Sequence, residues 1–320
     1  MTNFWLKLKK PIFVLAPMAD VTDCVFREII NKYGKPDVFW TEFVSADGLA
    51  HPVAREKLLI DLKYDKAEHP IVAQIFGGKP ENIKTAAALC EELGFDGVDI
   101  NMGCPDKSIE KQCAGASMMK DPQLAKEVIR AAKAGAPNIP ISVKTRIGYN
   151  KNEIETWIPA ILAEDVAVLT VHLRTRKEMS NVPAHWDVMK RIVEIRNEMG
   201  KDTLIFGNGD ALDLEDAKKK VWETSCDGVM LGRAIFGNPW LFTGKTPNLK
   251  EKLGVMIEHT KLFEKVLGGH KNFAIMKKHY KAYVNNFEGA KELRVKLMEA
   301  KDVREIEKIT LNFMVESSTN

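Results

Sequence analysis

The sequence is short of the residues that build disulfide scaffolds, metal cages and membrane spans. Only five cysteines occur in 320 residues, Cys24, Cys90, Cys104, Cys113 and Cys226, and no two are spaced C-x-x-C. An odd, scattered set argues against a disulfide framework and against a zinc site, so no metal is expected. No apolar stretch approaches the roughly 20 residues that a membrane span needs. The amphipathic start, Met1 to Lys10, is broken by Lys7, Lys9 and Lys10 and lacks the apolar run of a signal peptide. A soluble, cytoplasmic, monomeric protein is expected. Net charge is small as well, +3 at pH 7, so the whole molecule is no generic polyanion binder. A glycine cradle is also missing after the first apolar run, where a doubly wound nucleotide-binding sheet would carry one. The segment there is Pro17-Met18-Ala19-Asp20. Gly207-Asn208-Gly209-Asp210-Ala211-Leu212 opens like a dinucleotide fingerprint but lacks the third glycine.

What is present is an alternation. Apolar residues make up 45% of the chain and charged residues 28%, ordinary globular usage. Eight short apolar runs begin near Ile12, Val38, Ile71, Gly97, Ile141, Val166, Thr203 and Gly228. Helix signals separate most of them. Pro80-Glu81 opens a stretch whose Ile83, Ala87, Cys90 and Leu93 share one face, and Gly94 closes it. Asp121-Pro122 pairs an N-cap with a first-turn proline, and Asp213 caps another helix. Eight strands alternating with helices over about 240 residues match an α/β fold, the TIM (β/α)8 barrel. After Pro247 the strand rhythm stops. Leu253 to Val266, Phe273 to Phe287 and Ala290 to Met298 predict three helices, separated by Gly268-Gly269 and by Gly289. The expected division is a barrel domain at 1–245 and a small C-terminal α-helical domain at 246–320. The tail carries 14 Lys and Arg against 10 Asp and Glu, which makes it the basic part of a near-neutral chain.

In a TIM barrel the chemistry sits at the carboxyl ends of the strands. Those ends are polar here: Gln74, Asn101 with Cys104, Lys144 with Arg146, His172 with Arg174 and Arg176, Asn208 with Asp210, and Gly232 with Arg233. One polar strand end is commonly a cap or a solvated loop residue; six directed at one mouth indicate a site. Gly-containing loops after the seventh and eighth strands form the usual phosphate site of this fold, so a phosphorylated ligand is expected. Arg233 adds a charged fork. Lys144 lies across the mouth, where it would either stabilise negative charge on a cofactor or, with its pKa depressed by Arg146, act as a Schiff-base lysine.

Seven segments now carry a resemblance. They are Ala16-Pro-Met-Ala-Asp-Val-Thr-Asp23, Gln74-Ile-Phe-Gly77, Asp99-Ile-Asn-Met-Gly-Cys-Pro105, Val143-Lys-Thr-Arg-Ile-Gly148, Val171-His-Leu-Arg-Thr-Arg176, Gly207-Asn-Gly-Asp210 and Gly228-Val-Met-Leu-Gly-Arg233. In order and spacing the chain resembles the tRNA-dihydrouridine synthases over almost its whole length. The resemblance implies an FMN-dependent barrel that reduces uridine in tRNA, with NADPH or NADH as electron donor. It places Pro17, Met18 and Ala19 against the flavin ring, Gln74 at its polar edge, and Lys144 and His172 at its pyrimidine end. Asn208, Gly209, Asp210, Gly232 and Arg233 would hold the ribityl and phosphate groups. Cys104 would be the general acid that protonates C5 while a hydride reaches C6; a thiol with a pKa near 8.5 stays protonated at neutral pH. Asn101 would orient substrate or flavin. Two departures stand out. Leu173 follows the histidine where the family usually has glycine, and Cys113, where a small or basic residue is expected, is read as a packing residue. Cys24, Cys90 and Cys226 are read as small buried hydrophobes.

A tRNA base must swing out of its stack to reach a barrel mouth. Lys107 and Lys111, on the Cys104 loop, are placed against flanking phosphates, and Arg174 and Arg176 against the everted nucleotide. In the tail, Lys277, Lys278, Lys281 and Arg294 are the expected contacts to tRNA.

Overall fold

The computed structural model describes residues 3–316. The first two residues of the amphipathic start and the last four of the range 246–320 lie outside the described residues. Eight parallel strands run β1 (Ile12–Leu15), β2 (Phe39–Ser45), β3 (Ile71–Phe76), β4 (Gly97–Asn101), β5 (Ile141–Arg146), β6 (Val168–His172), β7 (Leu204–Asn208) and β8 (Gly228–Leu231). Each coincides with one of the eight apolar runs. The sheet is ordered β1-β8-β7-β6-β5-β4-β3-β2. A parallel bridge between Val14 and Val38 brings β1 beside β2 and closes the TIM barrel. Among the described residues no helix is long and apolar enough to cross a membrane.

The period-two alternation of the strands sorts their side chains. Phe13, Leu15, Ile75, Val98, Ile100, Val143 and Leu169 face the surrounding helices in one continuous apolar cluster. Residues of the other parity fill the barrel: Ile12, Val14, Val38, Trp40, Val72, Val168, Leu204, Phe206 and Met230. Trp5, 2% exposed, joins this inner cluster, its ring 5.7 Å from those of Trp40 and Phe206. The amphipathic start therefore plugs the amino end of the barrel. Toward the carboxyl end the inner positions become polar, as Gln74, Asp99, Asn101, Ser142, Lys144, Arg146, His172 and Asn208. Register sets them side by side: Gln74 beside Asp99, Asp99 beside Ser142, Asn101 beside Lys144, Arg146 beside His172, and His172 beside Asn208.

The caps act as expected. Asp121 accepts from Leu124 N before the helix Pro122–Gly135, and Asp213 from Asp216 N before Leu214–Thr224. In the tail, Asn248 and Glu251 form a reciprocal capping box that starts Leu249–Leu267. The second tail helix is shorter than expected, Met276–Tyr283, because Val284 leaves helical geometry and Asn286 turns left-handed at φ 59°. The third is Ala290–Glu299, and a further helix, Val303–Glu316, follows it. The tail is not a loose appendage. Leu253, Met256, Phe263, Tyr280 and Tyr283 share the apolar cluster that holds Val25, Phe26 and Ile29 of the barrel helix Cys24–Gly34. The ring of His259 stacks on Phe26 at 4.9 Å. Glu258 takes Lys32 Nζ and Tyr33 Oη, both at 2.6 Å.

Candidate active site

The polar ends of the strands form two adjoining arrangements. The first is a buried relay under the loop after β4. Ser142 Oγ donates to Asp99 Oδ1 at 2.6 Å, and Gln74 Nε2 donates to Asp99 Oδ2 at 2.6 Å. Asn101 Nδ2 donates to Gln74 Oε1 at 3.0 Å. Asn101 Oδ1 then accepts two amides, Gly103 N at 3.1 Å and Cys104 N at 2.9 Å. The order of donors is forced, since each amide has one accepting and one donating end. Burial raises the Asp99 carboxyl to about 6, against the hydrogen bonds from Ser142 and Gln74 and the charge of Lys144.

The loop carrying Cys104 is held from its other sides as well. Met102 N donates to Lys144 O at 2.8 Å and Arg146 Nε to Gly103 O at 2.7 Å. Ala116 N donates to Cys104 O at 2.8 Å. Gly115, at φ 60°, makes that approach possible; a Cβ there would lie 2.6 Å from the Cys104 carbonyl. The Cys104 thiol is half-buried, and burial pushes its pKa up, so it is a protonated thiol at neutral pH. Lys144 and Arg146 bring positive charge to it.

The second arrangement is a cavity of about 260 Å³ lined by Pro17, Met18, Lys144, His172, Arg174, Asn208, Gly209, Asp210, Gly232 and Arg233, with Ala16, Ser180, Ala211 and Met230. Of these lining residues, Gly209, Asp210, Gly232 and Arg233 have amide N–H groups that find no acceptor among the described residues. Trp186 Nε1 donates to Gly209 O at 2.7 Å and fixes the loop from below. Gly209 holds φ 128°, and a Cβ on it would meet Ala184 Cβ at 2.8 Å. Asp210 binds both Arg174 and Arg233. Burial works to raise its carboxyl, but the Arg174 hydrogen bond, Ala184 N and both guanidinium charges hold it below the usual range. Arg174 Nη1 donates to His172 Nε2 at 3.2 Å, which leaves the proton of the neutral ring on Nδ1. Burial first, then Arg146, Lys144, Arg174 and Arg233, depress His172 far below its ordinary pKa, so it is neutral. Burial, then Arg146, lowers Lys144 to about 8, with Asp99 opposing. Lys144 forms no ion pair among the described residues.

Most of the residues expected to hold the cofactor line the cavity, whereas Cys104 and Asn101 belong to the adjoining relay and not to its lining. Gln74 is fully buried, its amide engaged by Asp99 and Asn101, beneath the cavity rather than on its wall. Ala19 is exposed and does not belong to the lining. Arg174, 2% exposed, is part of the cavity wall, and Arg176 makes a two-point bond to Glu110 at 2.8 and 2.5 Å. Lys107 and Lys111 are exposed beside the Cys104 loop, as are Lys278 and Lys281 on the tail; Lys277 is half-buried. Arg294 donates to Val284 O at 2.9 Å, bracing two tail helices. Leu173 is fully buried in the outer core, with its amide on Asn208 O at 3.0 Å; it sits at the centre of a tight turn closed by Arg174 N donating to His172 O at 2.8 Å. Cys113 is not a packing residue: a left-handed turn at φ 54° puts it on the surface. Cys24, Cys90 and Cys226 are buried. Asp99, Ser142 and Trp186 were given no role from sequence.

Fold and mouth together define an enzyme of the TIM-barrel class. Among solved structures, morphinone reductase superposes with a TM-score of 0.52 at 12% identity, over 74% of this chain and 86% of that one. An old yellow enzyme homologue from Zymomonas mobilis gives 0.51 at 14%, over 74% and 89%. These likenesses concern the fold. Residues 14–318 match the family model described as dihydrouridine synthase (Dus). A probable tRNA-dihydrouridine synthase 2 of Bacillus subtilis (strain 168) is 41% identical over 315 residues, 97% of this chain and 96% of its own length. A probable tRNA-dihydrouridine synthase of Staphylococcus aureus (strain Mu50) is 40% identical over 308 residues, 95% and 93% of the two lengths. The chain belongs to the dihydrouridine synthase family, and is an oxidoreductase.

Proposed function

We propose that this protein reduces the C5=C6 bond of uridines in tRNA to give dihydrouridine, using FMN, with NADPH or NADH as reductant. The observation that supports the reading is the place of Lys144, which lines the cavity together with the anion cradle and brings its charge to the held, protonated Cys104 thiol of the adjoining loop. The residues present suit a flavin phosphate: four amides without acceptors and the Arg233 guanidinium belong to residues that line one cavity. Asn208, Gly209, Asp210, Gly232 and Arg233 would hold the ribityl phosphate, with Asp210 acting by aiming its two arginines. Pro17, Met18 and Ala19 offer the apolar surface for the ring, and Lys144 with neutral His172 the polar surroundings for its charged edge. Gln74 acts through Asn101 and keeps the acid loop in register; a ring contact would use its second N–H.

When bound, FMN supplies the hydride for C6. Cys104 supplies the proton for C5: its S–H bond breaks as the new C–H bond forms. Lys144 and Arg146 stabilise the thiolate left behind until solvent returns a proton. Asn101 fixes the loop so that the thiol is presented without a search. An everted uridine would enter over Cys104, with Lys107 and Lys111 against its flanking phosphates and Arg174 and Arg176 shaping the entrance. We assign residues 1–245 to catalysis and the helices of 246–320 to tRNA, through Lys277, Lys278, Lys281 and Arg294. The protein is read as cytoplasmic and monomeric.

The test is turnover by the purified, FMN-loaded protein with NADPH. Unmodified tRNA should be converted far faster than free uridine or orotate. Comparable rates on the free pyrimidines would replace this reading with a small-molecule reductase.

A further inference from the structure

The tail meets the cavity through a second buried charge relay. Lys271 lies in the turn after the helix Leu249–Leu267, and its side chain is 13% exposed. Its Nζ stands 2.8 Å from Glu42 Oε2 on β2 and 2.9 Å from Asp61 Oδ1. The other oxygen, Glu42 Oε1, accepts Asp20 N at 2.5 Å. Asp20 ends the segment Pro17-Met18-Ala19-Asp20, of which Pro17 and Met18 line the cavity. It holds φ 53°, a conformation that a non-glycine residue keeps only where its surroundings impose it. From the next tail helix, Lys278 Nζ comes within 3.9 Å of the Asp20 carboxylate.

We propose that Lys271 is a positioning residue of the active site: acting through Glu42, it holds the Pro17–Asp20 loop in the shape that receives the cofactor. The inference rests on reading the cavity as the flavin site. Glu42 is nearly fully buried and faces Asp23 and Asp61 as well as Lys271. Burial works against its charge, and Lys271 is the cation that favours it. Without that cation the carboxylate turns toward water or takes up a proton, and the Asp20 amide loses its charged acceptor. Glu42→Gln works in the opposite sense. A glutamine keeps a neutral oxygen for the Asp20 amide and needs no cation. A tail residue outside the cavity thus governs how well the barrel holds its cofactor, while a neutral partner on β2 makes that residue dispensable.

The test uses the full-length protein and two readouts: the FMN dissociation constant, from quenching of flavin fluorescence, and hydrogen exchange of the peptide spanning residues 17–22 before flavin is added. Lys271→Met should raise the dissociation constant about tenfold, the equivalent of one lost charge-assisted hydrogen bond, and speed exchange in that peptide. Exchange in β6 and β7 should not change. Lys271→Met combined with Glu42→Gln should recover most of the lost affinity and protection. Wild-type affinity and exchange in Lys271→Met overturn the inference alone, as does a loss that Glu42→Gln leaves in place, which would mean general loosening of the tail. A wild-type chain that binds no FMN overturns the cofactor reading and this inference together.

Discussion

Asn101→Asp looks conservative and should be severe. The native amide donates from Nδ2 to Gln74 Oε1 at 3.0 Å and accepts from Gly103 N and Cys104 N on Oδ1. Aspartate keeps the acceptor for the two loop amides but sets a second oxygen against the Gln74 carbonyl. Turning the Gln74 amide over does not help, because its oxygen would then face Asp99 Oδ2. Asn101 is 5% exposed, so the new charge is also desolvated. One lost buried hydrogen bond and an ill-matched buried carboxylate together cost about 3 kcal/mol, which for a chain of this size lowers the melting temperature by roughly 4–5 °C. The sign with pH follows. At low pH the new carboxyl is protonated and again donates to Gln74, so its folded pKa lies above the unfolded value near 4, and the deficit grows as pH rises through that window. The assay compares the melting of Asn101→Asp and wild type at pH 4.5 and pH 8. Alkylation of Cys104, followed in a Cys113→Ser background because Cys113 is exposed, reads the loop directly. The variant should melt well below wild type at pH 8, alkylate faster at Cys104 and make dihydrouridine slowly. Superimposable melting curves at pH 8 with unchanged alkylation would refute the relay.

Three further outcomes are expected. Asp99→Asn removes the carboxylate that favours the charged form of Lys144, whose pKa is lowered to about 8, so the alkaline limit expected from loss of that ammonium should move to lower pH; an unmoved pH profile contradicts the proposed role of Lys144. Arg233→Met should weaken FMN binding by roughly tenfold to a hundredfold and flatten its salt dependence, read by fluorescence titration at two ionic strengths. Lys277→Glu with Lys281→Glu should weaken tRNA binding and reduce the slope of log K against log salt by about 2, with flavin content unchanged. Lys278 is left out of that pair because it approaches Asp20 beside the cavity.

The barrel was legible because its strands are short, apolar and punctuated, and because polarity rises only at their carboxyl ends. The cavity wall was legible for the same reason: Lys144, His172, Asn208 and Arg233 sit where strands stop. Partnerships across strands were not. Nothing near Arg174 or Arg176 in sequence announces Asp210 or Glu110, so both arginines read as free contacts when each is held by a carboxylate. Asp99 lies mid-strand among apolar residues, where only register against Ser142 and Gln74 explains it. Gln74 lies two residues before the end of β3, and its neighbours, visible only in three dimensions, engage both ends of its amide. Two further features carry signals in the sequence. Asp302, accepting from Glu305 N, caps the helix Val303–Glu316, and Ile306 and Thr310 form its buried face. The turn at Cys113 shows in the Gly115 that follows it.

The central claim is that a thiol held by the β4 loop protonates a uridine brought to the flavin mouth. Nucleotide-resolution mapping of dihydrouridine in unmodified tRNA, after treatment with wild-type protein or Cys104→Ala under FMN and NADPH, tests it most directly. The account predicts defined modified uridines with wild type and a loss of about 10²- to 10⁴-fold in their rate of formation with Cys104→Ala, flavin binding being retained. Equal dihydrouridine formation by the two proteins would contradict it.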